Sequence, residues 1–261
     1  MGARLGEFMF TLKTLIAGAV AFAIIAAVAG TAGWWFFVRE DNKLATNAPA
    51  IPSDLVQSTA TASSTTDDPP AASGGTAVTS GGSAFTIIPE RSEAAYFADE
   101  KLAALSVPSK AKGSTTAIEG TFFLTEDGFE LDPSRTSQFT VDLTTLKSDK
   151  DMRDRRVQNE GLNTSQFPTA TFVAKSVSGV DQALADGEEH TFQLAGTLDL
   201  HGVQKDVTWE VKARRDGNVM TALATTNFLF EDFGIPVLNI AGFVSVQEDV
   251  TLQVQIVAQT S

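Results

Sequence analysis

Three kinds of patterning follow one another along the chain. From Thr14 to Val38 there are 25 consecutive positions without a charged side chain, bounded by Lys13 and Arg39. Residues 44–83 are built mainly from Ala, Thr, Ser, Pro, Gly and Asp, with few large apolar side chains. From Ala84 onward apolar and polar positions alternate with a period of two. Phe139, Val141 and Leu143 are separated by Thr140 and Asp142. Phe192, Leu194, Leu198 and Leu200 share a parity that Gly196 completes, and Val207, Trp209 and Val211 share another. Val250, Leu252, Val254 and Ile256 alternate with Thr251, Gln253 and Gln255. Such alternation predicts strands with one packed face and one wet face. Turn signals separate them at Glu126-Asp127-Gly128, Asp132-Pro133, Asp186-Gly187, His201-Gly202 and Asp216-Gly217-Asn218. One helix is predicted over Asp149–Glu160, with Ser148 as N-cap and Asp151 at capping-box spacing.

Many strands in succession without intervening helices imply a sandwich or an antiparallel barrel, and alternation alone does not separate the two. A sandwich fills the space between its sheets with side chains, whereas a barrel is able to enclose a ligand cavity.

The uncharged run would extend roughly 37 Å as a helix, enough to cross a ~30 Å hydrocarbon layer. Trp34, Trp35, Phe36 and Phe37 stand at one end of it, where aromatic rings favour the membrane interface. A cleaved signal peptide competes with this reading, since Ala27-Val28-Ala29 has the small-x-small form. The run continues through Val38, which suits an anchor better. The expected organisation is a short tail (1–13), a transmembrane helix (14–38), a disordered linker (39–83) and an all-β domain (84–258). The linker composition cannot bury enough surface to offset ordering entropy, and its span would be on the order of 35 Å. Two Lys/Arg flank the run on each side, so the short tail and large C-terminal domain set the orientation. The expectation is a single-pass protein of the bacterial cytoplasmic membrane, N-in and C-out.

Charge narrows the function classes. The net charge is −13 at pH 7, and the first 83 residues hold only four Lys/Arg and six acidic groups of the totals. The β-domain is therefore strongly acidic, which disfavours nucleic acid and anionic headgroups as partners. No protein partner is legible. Cysteine is absent and there are two histidines, His190 and His201, with no metal-ligand spacing between them. Asp232-Phe233-Gly234 matches a kinase motif by letters only, because no glycine-rich nucleotide loop or catalytic loop accompanies it. The segment Asp149–Arg156 reads as a solvated helix face with internal Asp–Arg pairs. These features predict neither an enzyme, nor a metal site, nor a resident cofactor. The apolar strand faces remain as the functional candidate.

Phe167-Pro168-Thr169-Ala170-Thr171-Phe172, followed by Gly196-Thr197-Leu198-Asp199-Leu200-His201-Gly202-Val203-Gln204-Lys205-Asp206-Val207, resembles the YceI-like family. So do the strand running into an Arg/Asp-rich helix over Phe139–Arg156, Asp232-Phe233-Gly234-Ile235, and the closing strand Glu248–Val257. The resemblance covers about residues 84–258. It implies an extended, lipocalin-like antiparallel β-barrel whose apolar interior holds a polyisoprenoid chain, such as a quinone or prenyl-phosphate lipid. The family's frequent His-Ser of the first strand is Arg91-Ser92 here. The family defines no catalytic residues. On this reading the cavity-lining residues are Phe139, Val141, Phe172, Leu194, Leu198, Trp209, Leu252 and Val254, and the ligand is an isoprenoid lipid or quinone. The alternative is a structural or adhesive extracytoplasmic β-domain with a fully packed core.

Overall fold

The computed structural model describes residues 42–56, 82–102, 108–126, 128, 130–180, 187–240 and 244–260. From Lys43 onward they belong to one compact unit. The expected tail (1–13) and transmembrane helix (14–38) lie outside the described residues. Among those described, no helix is long and apolar enough to cross a membrane.

The described strands are β1 (Ser83–Ile87), β2 (Glu93–Leu102), β3 (Pro108–Thr115), β4 (Ile118–Leu124), β5 (Gln138–Asp142) and β6 (Lys147–Ser148). They continue with β7 (Thr169–Ser178), β8 (His190–Leu200), β9 (Val203–Asp216), β10 (Val219–Leu229), β11 (Asn239–Ile240) and β12 (Val244–Thr260). Pairing runs β1-β4-β5-β7-β8-β9-β10-β12, and β12 pairs back to β1, so these eight strands close into an antiparallel barrel. The long β12 makes closure possible. Its end (Ala258–Thr260) pairs with β1, and its earlier part (Val244–Gln255) pairs with β2, which carries β3 and β6. The period-two pattern thus resolves into a barrel rather than a sandwich.

The β8–β9 hairpin shows why the chain turns where it does. His201 and Gly202 have φ of 55° and 74°, the paired left-handed conformation that a two-residue hairpin needs to match strand twist. Position 202 is closed to a side chain on spatial grounds as well, since a Cβ there would lie 2.5 Å from the Phe167 ring.

The helix is shorter than its sequence signal. α1 spans Asp151–Arg156 and widens into a turn over Val157–Gly161. Its N-cap is Lys150, without a side-chain cap, and the Ser148–Asp151 capping box does not form. Ser148 instead donates its N–H (2.8 Å) and hydroxyl (2.6 Å) to the buried carboxylate of Asp154. A buried acceptor that can satisfy two donors outcompetes a solvent-exposed cap.

The largest correction concerns the linker. Of the 39–83 stretch, residues 43–56 form an ordered strap along the outside of the barrel, and residues 39–41 and 57–81 lie outside those described. Ala45 and the Gln253 side chain exchange two hydrogen bonds of 2.8 and 2.9 Å. Lys212 donates to Thr46 O (2.6 Å), Ala48 N–H to Glu189 (2.9 Å), and Thr221 Oγ1 to Pro49 O (2.7 Å). Gln259 Nε2 donates to Leu55 O at 3.3 Å. The strap therefore touches outward positions of β9, β10 and β12. These outer faces are not the wet faces that alternation predicts: Val219, Thr221, Leu223, Gln253 and Val257 are all buried.

Arg91 also departs from expectation. It lies in the one-turn helix Pro89–Arg91 between β1 and β2, and its guanidinium pairs with Asp54 of the strap at 2.5 Å. Ser92 beside it is buried, donating to Ile88 O (2.8 Å) and accepting from Val257 N–H (3.0 Å).

Candidate functional site

Strand register places the inner surface. Phe139 pairs with Phe172, Phe172 with Leu198, and Leu194 with Trp209. Trp209 shares the parity of Val211 and Ala213, which pair with Ala224 and Ala222 on β10. Those alanines in turn pair with Val254 and Ile256 on β12. Directly paired residues point to the same face of a sheet. One continuous face therefore carries all eight candidates, and it is the inner one. Phe139 and Phe172 sit on β5 and β7, yet both contact Trp209 on β9 edge-on, at ring separations of 6.1 and 5.8 Å. Such contacts across one or two intervening strands are possible only from inside the curve.

The candidates do not all converge. Phe139, Phe172 and Trp209 form one aromatic group, with Phe122 at 6.3 Å from Phe139. Leu194 and Leu198 adjoin it as direct partners of Trp209 and Phe172, and Val141 lies between Ile118 and Ala170. Leu252 and Val254 belong to the β10–β12–β2 side, beside Tyr96 and Ala94. Seven of the eight are buried and Leu252 is half-buried.

Several inner residues escaped the sequence reading. Phe85, Ile118 and Phe122 belong to the same cluster, and the Phe85-x-Ile87 and Ile118-x-Gly120-x-Phe122 parities could have found them. Phe233 is fully buried from a helical turn (Phe230–Phe233), which no period-two pattern reveals. Asp232-Phe233-Gly234 is thus structural: Asp232 accepts from Leu229 N–H (3.0 Å) and pairs with Lys205 (2.7 Å).

Polar groups gather near β2. Glu100 is on the face that carries Tyr96, and Arg153 of α1 donates to both its carboxylate oxygens, at 3.2 and 3.1 Å. Arg153 also pairs with Asp149. The segment Asp149–Arg156 is therefore not simply a solvated face with internal pairs; its central arginine clamps α1 to the barrel wall. Burial raises the pKa of Tyr96 well above its ordinary 10; the Arg153 charge opposes this, while Asp154, Glu100 and Asp149 add to it. The phenol stays protonated at any physiological pH.

His201 serves the frame. His201 Nδ1 lies 3.1 Å from Phe233 O, with its ring 4.7 Å from that of Phe167. His190 is the first residue of β8. Among the described residues no group of three or more His, Asp or Glu is placed to hold a metal ion.

Comparison with known proteins agrees with this architecture. The family model described as YceI-like domain matches residues 85–258, more than half of the chain. A UPF0312 protein of Pseudomonas putida is 31% identical over 129 residues, covering 45% of this chain and 64% of that relative. The match thus spans less than two thirds of the relative's length. A solved polyisoprenoid binding domain from Saccharophagus degradans, implicated in plant cell wall breakdown, aligns with a TM-score of 0.53 and 17% identity. That alignment covers 69% of this chain and 99% of the Saccharophagus degradans domain, a likeness of fold.

Proposed function

The chain belongs to the YceI-like domain family, and on that premise we propose that its barrel binds a long apolar lipid of isoprenoid type, without catalysing a reaction. The observation that carries this reading is the continuous apolar inner face, which spans strands β5 to β12 of a closed ring. A chain of isoprene units offers no strong polar handle, so its site should be elongated and apolar. Each buried methylene-sized group contributes about 0.8 kcal/mol, so affinity grows with chain length. The Saccharophagus degradans domain, described as polyisoprenoid binding, supports the ligand class through shared fold. Quinones and prenyl phosphates are the proposed ligands within that class.

We place the barrel outside the bacterial cytoplasmic membrane, held by Thr14–Val38 as a single-pass anchor, N-in and C-out. Full-length protein should stay with membranes through a carbonate wash. A mature chain beginning near Gly30 would identify a signal peptide instead.

The function is tested by solvent extraction and native mass spectrometry of the full chain purified from membranes. Stoichiometric isoprenoid is expected, and its absence from every preparation would sink the carrier reading. A structural or adhesive β-domain is the second reading. It is favoured by the contact distances among Phe139, Phe172 and Trp209, whose rings pack on one another at 5.4–6.1 Å.

A further inference from the structure

Trp209 is 1% exposed, and its indole nitrogen Nε1 has no hydrogen-bond partner among the described residues. An indole N–H is a donor only, and a buried donor left without an acceptor costs about 1–3 kcal/mol. Buried polar atoms of native proteins are nearly always paired, so each exception needs a reason. The local design does not supply one. The two rings touching Trp209 are Phe139 and Phe172, and its direct partner on β8 is Leu194, all without acceptors. The nearest inner hydroxyl by register, that of Thr226, donates to Thr208 O at 3.0 Å and accepts no bond from the indole. A phenylalanine would fill an apolar core here without stranding a donor.

We infer that Trp209 is a specificity-determining residue, whose Nε1–H donates to an oxygen acceptor of the lipid. The inference rests on the reading of the barrel as a lipid-binding interior and sharpens it. The ligand is then not merely a hydrocarbon tail. It carries a carbonyl or hydroxyl oxygen that enters the barrel to the depth of the Phe139–Phe172–Trp209 group, and its oxygenated end is the end that is bound. Headgroup chemistry, which a purely apolar cavity would ignore, becomes the basis of selection.

The test uses three probes with the same number of isoprene units: a prenylated quinone, a prenol and an oxygen-free polyprene. Binding is measured on the full chain in detergent, with Trp34→Phe and Trp35→Phe so that Trp209 is the sole tryptophan. At least one oxygenated probe should bind about tenfold more tightly than the polyprene, the size of one well-placed hydrogen bond. Which of the two does so identifies a carbonyl or a hydroxyl as the acceptor. Trp209→Phe in the wild-type chain should abolish that preference, so that the oxygenated probe and the polyprene bind the variant with equal affinity. Equal affinities for all three probes, or a preference that survives Trp209→Phe, would overturn the inference while leaving lipid binding intact. Failure of all three to bind would remove the lipid-binding reading itself. Should the variant fold poorly, the ¹⁵N-labelled indole Nε1–H resonance of the Trp209-only chain decides. It should move downfield with the preferred oxygenated probe and not with polyprene; an unmoved resonance refutes the hydrogen bond.

Discussion

The ring of Phe172 on β7 lies over Gly196 on β8, so closely that a Cβ at position 196 would stand 2.5 Å from Phe172 Cζ. Gly196 is therefore the space that admits the Phe172 ring toward Trp209, with which it makes an edge contact at 5.8 Å. The carbonyl of Val173, at 2.2 Å from the same Cβ, closes the other route of escape. Gly196→Ala should destabilise the domain by about 1–3 kcal/mol, as overpacked cores do. Phe172→Leu in the same chain should recover part of the loss, and a double-mutant cycle in denaturant measures the coupling.

The strap gives a second expectation. Thr221→Val removes a buried hydroxyl that donates to Pro49 O, and should cost about 1 kcal/mol. Hydrogen exchange should then rise at Ala45 and Ala48, whose amides are bonded to Gln253 and Glu189. Burial pushes the Glu189 carboxyl up, but the Ala48 N–H and the Arg214 guanidinium outweigh it and hold the group below its ordinary 4.5. Its contribution to docking is present above that value and is lost as pH falls through the lower, folded-state value. Acid should loosen the strap, and Glu189→Gln should blunt the effect.

Tyr96 is the single tyrosine of the chain, so its titration is directly visible in the ultraviolet. Burial raises its folded-state pKa above the ordinary 10. The linked stability is complete below that ordinary value and falls as pH rises above it. Tyrosinate absorbance should therefore appear together with unfolding rather than at pH 10. Tyr96→Phe should extend the stable range upward in pH. Tyrosinate forming near pH 10 in the folded chain would contradict the burial argument.

Enlargement discriminates a lipid cavity from a packed core. Val141→Phe and Val254→Phe should each cost roughly 1–3 kcal/mol if side chains fill the interior. In a lipid-filled barrel the same changes should leave the delipidated domain nearly as stable and shorten the isoprenoid chain it accepts. Unfolding of delipidated protein, run beside binding across chain lengths, separates the outcomes.

The strands were legible because burial of alternate side chains leaves a period-two trace; Val250 to Ile256 on β12 is the clearest case. Which face is inside also followed, since one face carried the aromatic and branched residues. The strap left no such trace. Much of its docking runs through main-chain groups, such as Ala45 N–H, Thr46 O, Pro49 O and Leu55 O, which every residue possesses. Its low apolar content therefore mimicked disorder. The clamp of Arg153 on Glu100 was hidden for another reason: the two residues lie 53 positions apart, and the pairing of β2 with β3 and of β3 with β6 brings them together. The stranded donor of Trp209 belongs to the same class, because an acceptor's absence is a property of three-dimensional surroundings.

The position of the strap fixes where the chain stands on either side of residues 57–81. The segment leaves the described structure just after Leu55, whose carbonyl accepts from Gln259, and rejoins it at β1, where Thr86 pairs with that same Gln259. Departure and return are thus fixed beside one residue of β12. Ala45 is already bonded to Gln253 ahead of that departure, so the docking of the strap does not depend on the length of the Ser/Thr-rich tract. Doubling the length of a flexible segment whose two ends are held near one another costs only about 0.6 kcal/mol in chain entropy. The tract is accordingly a natural port for inserted sequence, where a reporter or a second module could be spliced without disturbing the barrel's register.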